Sequence, residues 1–80
     1  MKPKEKVWLI ILALLDNRNS DAEIIAHSGN RLTTEDLDRF YKPAEMVMDK
    51  AITKPEEKPR GKFITEACRS WLDYLEWPDR

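Results

Sequence analysis

The chain has 80 residues, which is enough for one small domain. Its 14 Lys and Arg nearly balance 15 Asp and Glu, so no overall positive field draws it to nucleic acid, and a nucleic-acid role requires a local basic patch. A single cysteine excludes a disulfide within the chain, and one cysteine with one histidine cannot assemble a Cys/His zinc site. We expect no metal, no cofactor and a cytoplasmic location.

The first predicted element is a helix from Pro3 to about Asp16 or Asn17. Pro3 suits the first turn of a helix, where its missing N–H costs nothing. Val7–Leu15 is a run of nine apolar residues, which wraps the whole helix at 3.6 residues per turn. Such a helix must be enclosed on all sides, either by the other helices or by a second copy of the chain. The run therefore predicts a central helix and favours a homodimer.

This run also resembles the start of a secretory signal, because lysines at positions 2, 4 and 6 precede it. The residues that follow, beginning with Asp16, lack a small-x-small cleavage site. Nine residues are also far fewer than the roughly 20 that span a bilayer. We interpret the run as a buried helix and predict no membrane association.

A short second helix is predicted from the cap residues at its two ends. Ser20 and Glu23 have the spacing of a capping box, in which the hydroxyl accepts a backbone N–H and the carboxylate reaches back to the Ser20 N–H. Ile24 and Ile25 supply its buried side. The Gly29-Asn30 pair ends it, because both residues tolerate the left-handed conformation that terminates helices.

The third helix has the clearest start in the chain. Thr33 is its predicted N-cap, and Leu32 and Leu37 have the spacing of a hydrophobic staple around it. Pro43 interrupts the hydrogen bonding, but the apolar stripe keeps its phase across it, so we predict one long helix kinked near Pro43. The stripe consists of Leu37, Phe40, Tyr41, Ala44, Val47, Met48, Ala51 and Ile52.

A charged connector at 54–62 precedes the last helix. The connector has two prolines, one glycine and no apolar side chain, which is typical of an exposed loop. The last helix is predicted to end at Pro78, with Ile64, Ala67, Cys68, Trp71, Leu72 and Leu75 on its buried side. The chain is thus predicted to be a single all-α domain over 1–80, a small bundle of three to four helices with the first at its centre.

No catalytic constellation is evident in the sequence. His27 adjoins Ser28 but has no second histidine, and the one cysteine is distant, so neither a metal site nor a Ser/His or Cys/His nucleophile can be argued. Two glycines are too few for a phosphate-binding loop. We predict no catalytic residues and expect that the chain is not an enzyme.

Aromatic residues concentrate in the last helix. Phe63, Ser70, Tyr74 and Trp77 form a second stripe beside the buried one, and Trp71 adds to the aromatic surface. Aromatic side chains dominate protein interfaces because they bury large areas at low rotamer cost. The pattern predicts a protein-binding role, as an inhibitor, adaptor or regulator, with Phe63, Trp71, Tyr74 and Trp77 as contacts. The alternative that they cover the first helix within the same subunit stays open.

The second hypothesis is a DNA-associated regulator. The second and third helices with their Gly-containing turn have the layout of a helix-turn-helix, but the third begins with Glu35 and Asp36, which phosphates repel. Any contact with nucleic acid is therefore predicted to come from the connector, with two copies of the chain combining their charges. The residues concerned are Lys54, Lys58, Arg60 and Lys62.

The segment Leu32–Glu45 resembles the corresponding helix of the Hha-type nucleoid modulators. These are small helical proteins that act by docking on a DNA-silencing protein. The chain departs from that family at Met46-Val47, where the family has a His-Arg pair, and in its first helix, which is apolar where the family's is basic. The resemblance implies a regulator that works through a protein partner.

Overall fold

A computed structural model describes residues 1–54 and 61–75 of the chain. Within these residues the protein is all-α and has no strand, so the predicted small helical bundle is confirmed. No described helix combines the length and apolar character needed to cross a membrane. The helices are α1 (Pro3–Leu15), α2 (Asp21–His27), α3 (Thr34–Thr53) and α4 (Ile64–Tyr74).

Helix α1 contacts each of the other three helices, a position that it shares with α3. Val7, Ile10, Ile11 and Ala13 are fully buried. Full burial of a valine or isoleucine side chain contributes roughly 1.5–3 kcal/mol, so Val7, Ile10 and Ile11 make α1 a main source of stability for a short chain. The rest of the run is half-buried: Trp8, Leu9, Leu12, Leu14 and Leu15.

Both α1 and α2 end in Schellman motifs. After α1, the Arg18 N–H donates to the Ala13 carbonyl at 2.9 Å, and Asn17 has a φ of 60°. After α2, the Asn30 N–H donates to the Ile25 carbonyl at 3.0 Å, and Gly29 has a φ of 71°. The sequence signals at Asn17 and at Gly29-Asn30 are thus confirmed as helix ends.

The N-terminal caps are side chains of Ser20 and Thr33. Thr33 forms a complete capping box with Asp36: its hydroxyl accepts the Asp36 N–H at 3.2 Å, and the Asp36 carboxylate accepts the Thr33 N–H at 3.1 Å. Ser20 accepts the Glu23 N–H, but the Glu23 carboxylate accepts the Ser20 hydroxyl at 2.9 Å. The predicted bond from the Ser20 N–H to Glu23 is therefore wrong, although the helix begins where predicted.

Helix α3 runs unbroken through Pro43, as the continuous stripe predicts. Its buried residues include Ala44, Val47 and Ala51. Ile52 has the same periodicity, but its side chain is 61% exposed, so the buried part of the stripe ends before it. It lies in the last turn of the helix, next to the final residue, Thr53.

Helix α4 is shorter than predicted. It ends at Tyr74, and Leu75 is already extended with a ψ of 134°, so the helix stops before Pro78. Ala67, Cys68, Trp71 and Leu72 are buried as expected. Ile64 is 41% exposed and does not belong to the core, because it occupies the first position of the helix.

Candidate protein-binding surface

One side of α4 is used by α1. Lys4 forms an ion pair with Asp73, and Arg69 approaches Glu5 with Nη2 3.9 Å from Oε1. The Arg69 guanidinium also lies over the Trp8 ring, 5.3 Å from its centroid, in a cation–π contact. These interactions join the outer rim of α1 to α4, so this side of α4 is already occupied.

The same contacts change the pKa of a carboxyl group on α4. The hydrogen bond from Lys4, together with the nearby charge of Arg69, lowers the pKa of the Asp73 carboxyl below its ordinary value. On the core side, burial raises the pKa of the Cys68 thiol. A buried thiol with a raised pKa is the inert, structural kind of cysteine.

A second side of α4 carries two exposed aromatic residues, with the half-buried Ser70 between them. Phe63 is 66% exposed and Tyr74 is 61% exposed. Positions 63, 70 and 74 follow one another at i, i+7 and i+11, which is the spacing of one helix face. We call Phe63, Ser70 and Tyr74 the aromatic side of α4. Both of these predicted contact residues thus lie at the surface.

Trp71 corrects the predicted contact set. Its side chain is 4% exposed, so its surface is consumed within the chain and is not offered to another protein. The Tyr74 ring packs edge-on against it, with centroids 5.6 Å apart and planes at 86°, and the Lys50 ammonium lies 5.4 Å from its ring centroid. Trp71 therefore packs against Tyr74 from the core side. Trp77, the fourth predicted contact, lies outside the described residues.

Phe63 occupies the N-cap of α4 and makes no side-chain cap hydrogen bond. A Ser, Thr, Asp or Asn at an N-cap typically contributes about 1 kcal/mol to stability. Among the described residues, the Glu66 carboxylate supports this end by accepting the Lys62 N–H at 3.3 Å. Neither core packing nor capping explains an exposed phenylalanine at this position.

Two open grooves lie elsewhere on the surface. The larger, of about 370 Å³, is lined by Asn19, Asp21, Leu37, Asp38, Tyr41 and Lys42. The smaller, of about 270 Å³, is lined by Arg18, Glu23, Ala26 and His27. Neither groove contains a serine or cysteine nucleophile, and the described residues hold no cluster of three or more metal ligands. That the chain is not an enzyme stays a prediction from the sequence.

The histidine lies close to a carboxylate at the junction of α1 and α2. His27 Nε2 is 3.4 Å from Asp16 Oδ2, and Arg18 Nε is 3.5 Å from the same oxygen. Ser28, the neighbour of His27, is fully buried: its hydroxyl donates to the Ile25 carbonyl and accepts the Leu32 N–H. Ser28 therefore fixes the turn between α2 and α3, a structural role that sequence reasoning missed.

The predicted nucleic-acid contacts are only partly visible. Lys54 and Lys62 are exposed, whereas Lys58 and Arg60 lie outside the described residues. At the start of α3, Asp36 accepts a hydrogen bond from Lys6 at 2.8 Å, which lowers the pKa of its carboxyl. Glu35 and Asp38 are exposed there, so this helix end is acidic as expected. DNA binding stays a prediction.

No family model matches the chain, and no similar protein was found among the curated proteins or the solved structures. The likeness of Leu32–Glu45 to the Hha-type modulators therefore remains a resemblance along one helix. Function has to be inferred from the surfaces that the fold presents.

Proposed function

We propose that this protein acts by binding another protein through the aromatic side of α4, as an inhibitor, adaptor or regulator. The proposal is carried by the exposure of Phe63 and Tyr74 beside a filled core, in which Trp71 and Leu72 are buried. Transfer of an exposed aromatic ring from water to a partner surface is favourable. The loss of side-chain entropy is small, because only two torsions become fixed.

The chemistry of this side suggests how a partner is held. Phe63 and Tyr74 are eleven positions apart, which is about 16 Å along a helix. The Tyr74 ring is already packed on Trp71, so little of its freedom is lost on binding. Two anchors at this separation suit a hydrophobic groove that receives one face of a helix. The tyrosine hydroxyl adds a hydrogen-bonding group at one end.

The test is affinity capture from the native cells with matched baits. The baits are the wild type, Phe63→Ser, Tyr74→Ala and the control Met46→Ala, which removes an exposed apolar side chain from α3. We expect a protein that is retained by the wild type and by Met46→Ala but lost from the two α4 variants. Titration of that purified protein should then show affinity at least about tenfold weaker for each α4 variant, as for interface anchors.

Equal recovery of every captured protein by all four baits would contradict the proposal. Circular dichroism of each bait at neutral pH excludes loss of folding as the cause of lost capture.

The alternative function, a DNA-associated regulator, is supported by the exposure of Lys54 and Lys62 at the two ends of the connector. Titration with duplex DNA at low ionic strength tests it. Binding through phosphates should weaken steeply with added salt and should be reduced in Lys54→Glu and Lys62→Glu. Failure to bind at low ionic strength removes this alternative and leaves the protein-binding proposal untouched.

A further inference from the structure

The outer side of α1 carries apolar side chains that α2, α3 and α4 leave half-exposed. Glu5, Leu9, Leu12 and Asp16 follow one another at i, i+4, i+7 and i+11, on one face roughly 130° around the helix from the buried Ile10. Leu9 and Leu12 are half-buried, while Glu5 and Asp16 at the two ends are exposed. We call these four residues the α1 strip.

The α1 strip reads in the same order from either end: carboxylate, leucine, leucine, carboxylate. An arginine lies beside each carboxylate. Arg69 Nη2 is 3.9 Å from Glu5 Oε1, and Arg18 Nε is 3.5 Å from Asp16 Oδ2. A two-fold interface requires one patch that is complementary to itself, so that each contact occurs twice with the copies exchanged. The two leucines meet this requirement in the apolar centre, and at each end the arginine beside the carboxylate supplies the opposite charge.

We propose that the occupant of the α1 strip is a second copy of this chain, with the two α1 helices antiparallel. The two-fold axis passes between Leu9 and Leu12, so that Leu9 of each copy packs against Leu12 of the other. This arrangement brings the Glu5 end of one copy to the Asp16 end of the other. Antiparallel packing also opposes the two helix dipoles.

Ion pairs between the two copies form at the ends of the α1 strip. Across the interface, Arg18 of each copy reaches Glu5 of the other, and Arg69 of each reaches Asp16. Trp8, held under the Arg69 guanidinium, lies beside the strip and widens its apolar centre. The surface is separate from the aromatic side of α4, so dimer formation and partner binding can be tested independently.

The size of the strip sets the expected strength of the dimer. α1 has 13 residues and is therefore about 20 Å long. One helix face of this length is smaller than the roughly 800 Å² that each partner buries in a standard stable interface. The dimer should therefore be weak, with a Kd in the micromolar range or above, and must be sought by varying the protein concentration.

Sedimentation equilibrium of the full chain from about 1 μM to about 1 mM spans this range of Kd. We expect a reversible change from monomer to dimer mass. Leu12→Asp places a carboxylate against Leu9 of the second copy and should leave only monomer, with helicity checked by circular dichroism. A wild-type chain that is monomeric at every concentration overturns the proposal, as does a folded Leu12→Asp that dimerises normally.

A charge swap tests the arrangement without touching the apolar residues. Glu5→Arg and Arg18→Glu should each weaken the dimer about fivefold or more, and the double variant should recover much of the affinity. Positions 5 and 18 lie beyond opposite ends of one apolar run, so rescue arises only between copies. Arg39→Glu on α3 is the control with the same change in charge, and it should dimerise like the wild type. Failure of the double variant to recover excludes the antiparallel arrangement.

Discussion

Helices α1 and α4 differ in how far their apolar side chains are exposed to solvent. α1 contains a run of nine apolar residues, and none of the nine is exposed beyond the half-buried class. α4 is more polar, yet Phe63 at its N-cap and Tyr74 at its last position are more than half exposed. The more hydrophobic helix therefore offers less free apolar surface.

The difference follows from position in the bundle. α1 contacts all three other helices, and every residue of its apolar run is buried or half-buried. α4 lies at the margin and divides its surface among the core, an ion-pair side towards α1 and the aromatic side. Stability does not require exposed aromatic side chains on α4, and this is why we propose that the chain acts through this helix.

The largest effects should come from the core residues of both helices. Ile10→Ala should cost about 2–5 kcal/mol and Trp71→Ala about 3–5 kcal/mol, because each leaves a cavity at a buried position. For a chain this short, either loss can be a large part of its total stability. Urea unfolding monitored by circular dichroism measures both. If Trp71→Ala is as stable as the wild type, Trp71 is not the core residue against which Tyr74 packs.

An intermediate effect is expected at the ion pair between Lys6 of α1 and Asp36 of α3. Asp36→Asn removes the ion pair with Lys6 and should cost about 1 kcal/mol at neutral pH. Because folding lowers the pKa of Asp36, its contribution is present above the ordinary carboxyl pKa of about 4 and is lost as the pH falls through the lowered value. Urea unfolding from pH 7 to pH 2 should therefore show the difference between variant and wild type shrinking to zero.

Asp38→Asn is the matched control, since Asp38 is an exposed carboxylate in the same part of α3. A difference between Asp36→Asn and the wild type that persists unchanged at pH 2 would mean that the ion pair with Lys6 is not its source.

An effect of similar size is expected at the exposed end of α4. Tyr74→Ala removes the edge-on contact with Trp71 and should cost about 0.5–1.5 kcal/mol. Thermal unfolding of Tyr74→Ala beside Trp71→Ala compares two aromatic residues three positions apart. A loss for Tyr74 as large as that for Trp71 would place Tyr74 in the core and remove it from the proposed surface.

Local chemistry made much of the fold predictable. The ends of α1 and α2 and the start of α3 were predicted because residues such as Asn17, Gly29 and Thr33 act on the backbone within a few positions. The burial of α1 also follows from its sequence, since nine consecutive apolar residues need cover on every side.

The exposed surface was less predictable, because it depends on which neighbours reach each side chain. Ile52 and Ile64 have the periodicity of core residues but lie at helix ends, where they stay exposed. Trp71 and Tyr74 were grouped together in the sequence, yet the structure buries one and exposes the other. Periodicity gives the face of a helix, whereas the lengths and packing of the other helices decide how far along that face the cover extends.

The free energy of unfolding of Phe63→Ser tests most directly the claim that the aromatic side of α4 is free surface. Serine can cap α4, which phenylalanine cannot, so we predict that urea unfolding will show stability unchanged or higher by up to about 1 kcal/mol. A loss of about 2 kcal/mol or more, as expected for a buried aromatic residue, would show that Phe63 belongs to the core and would contradict the account.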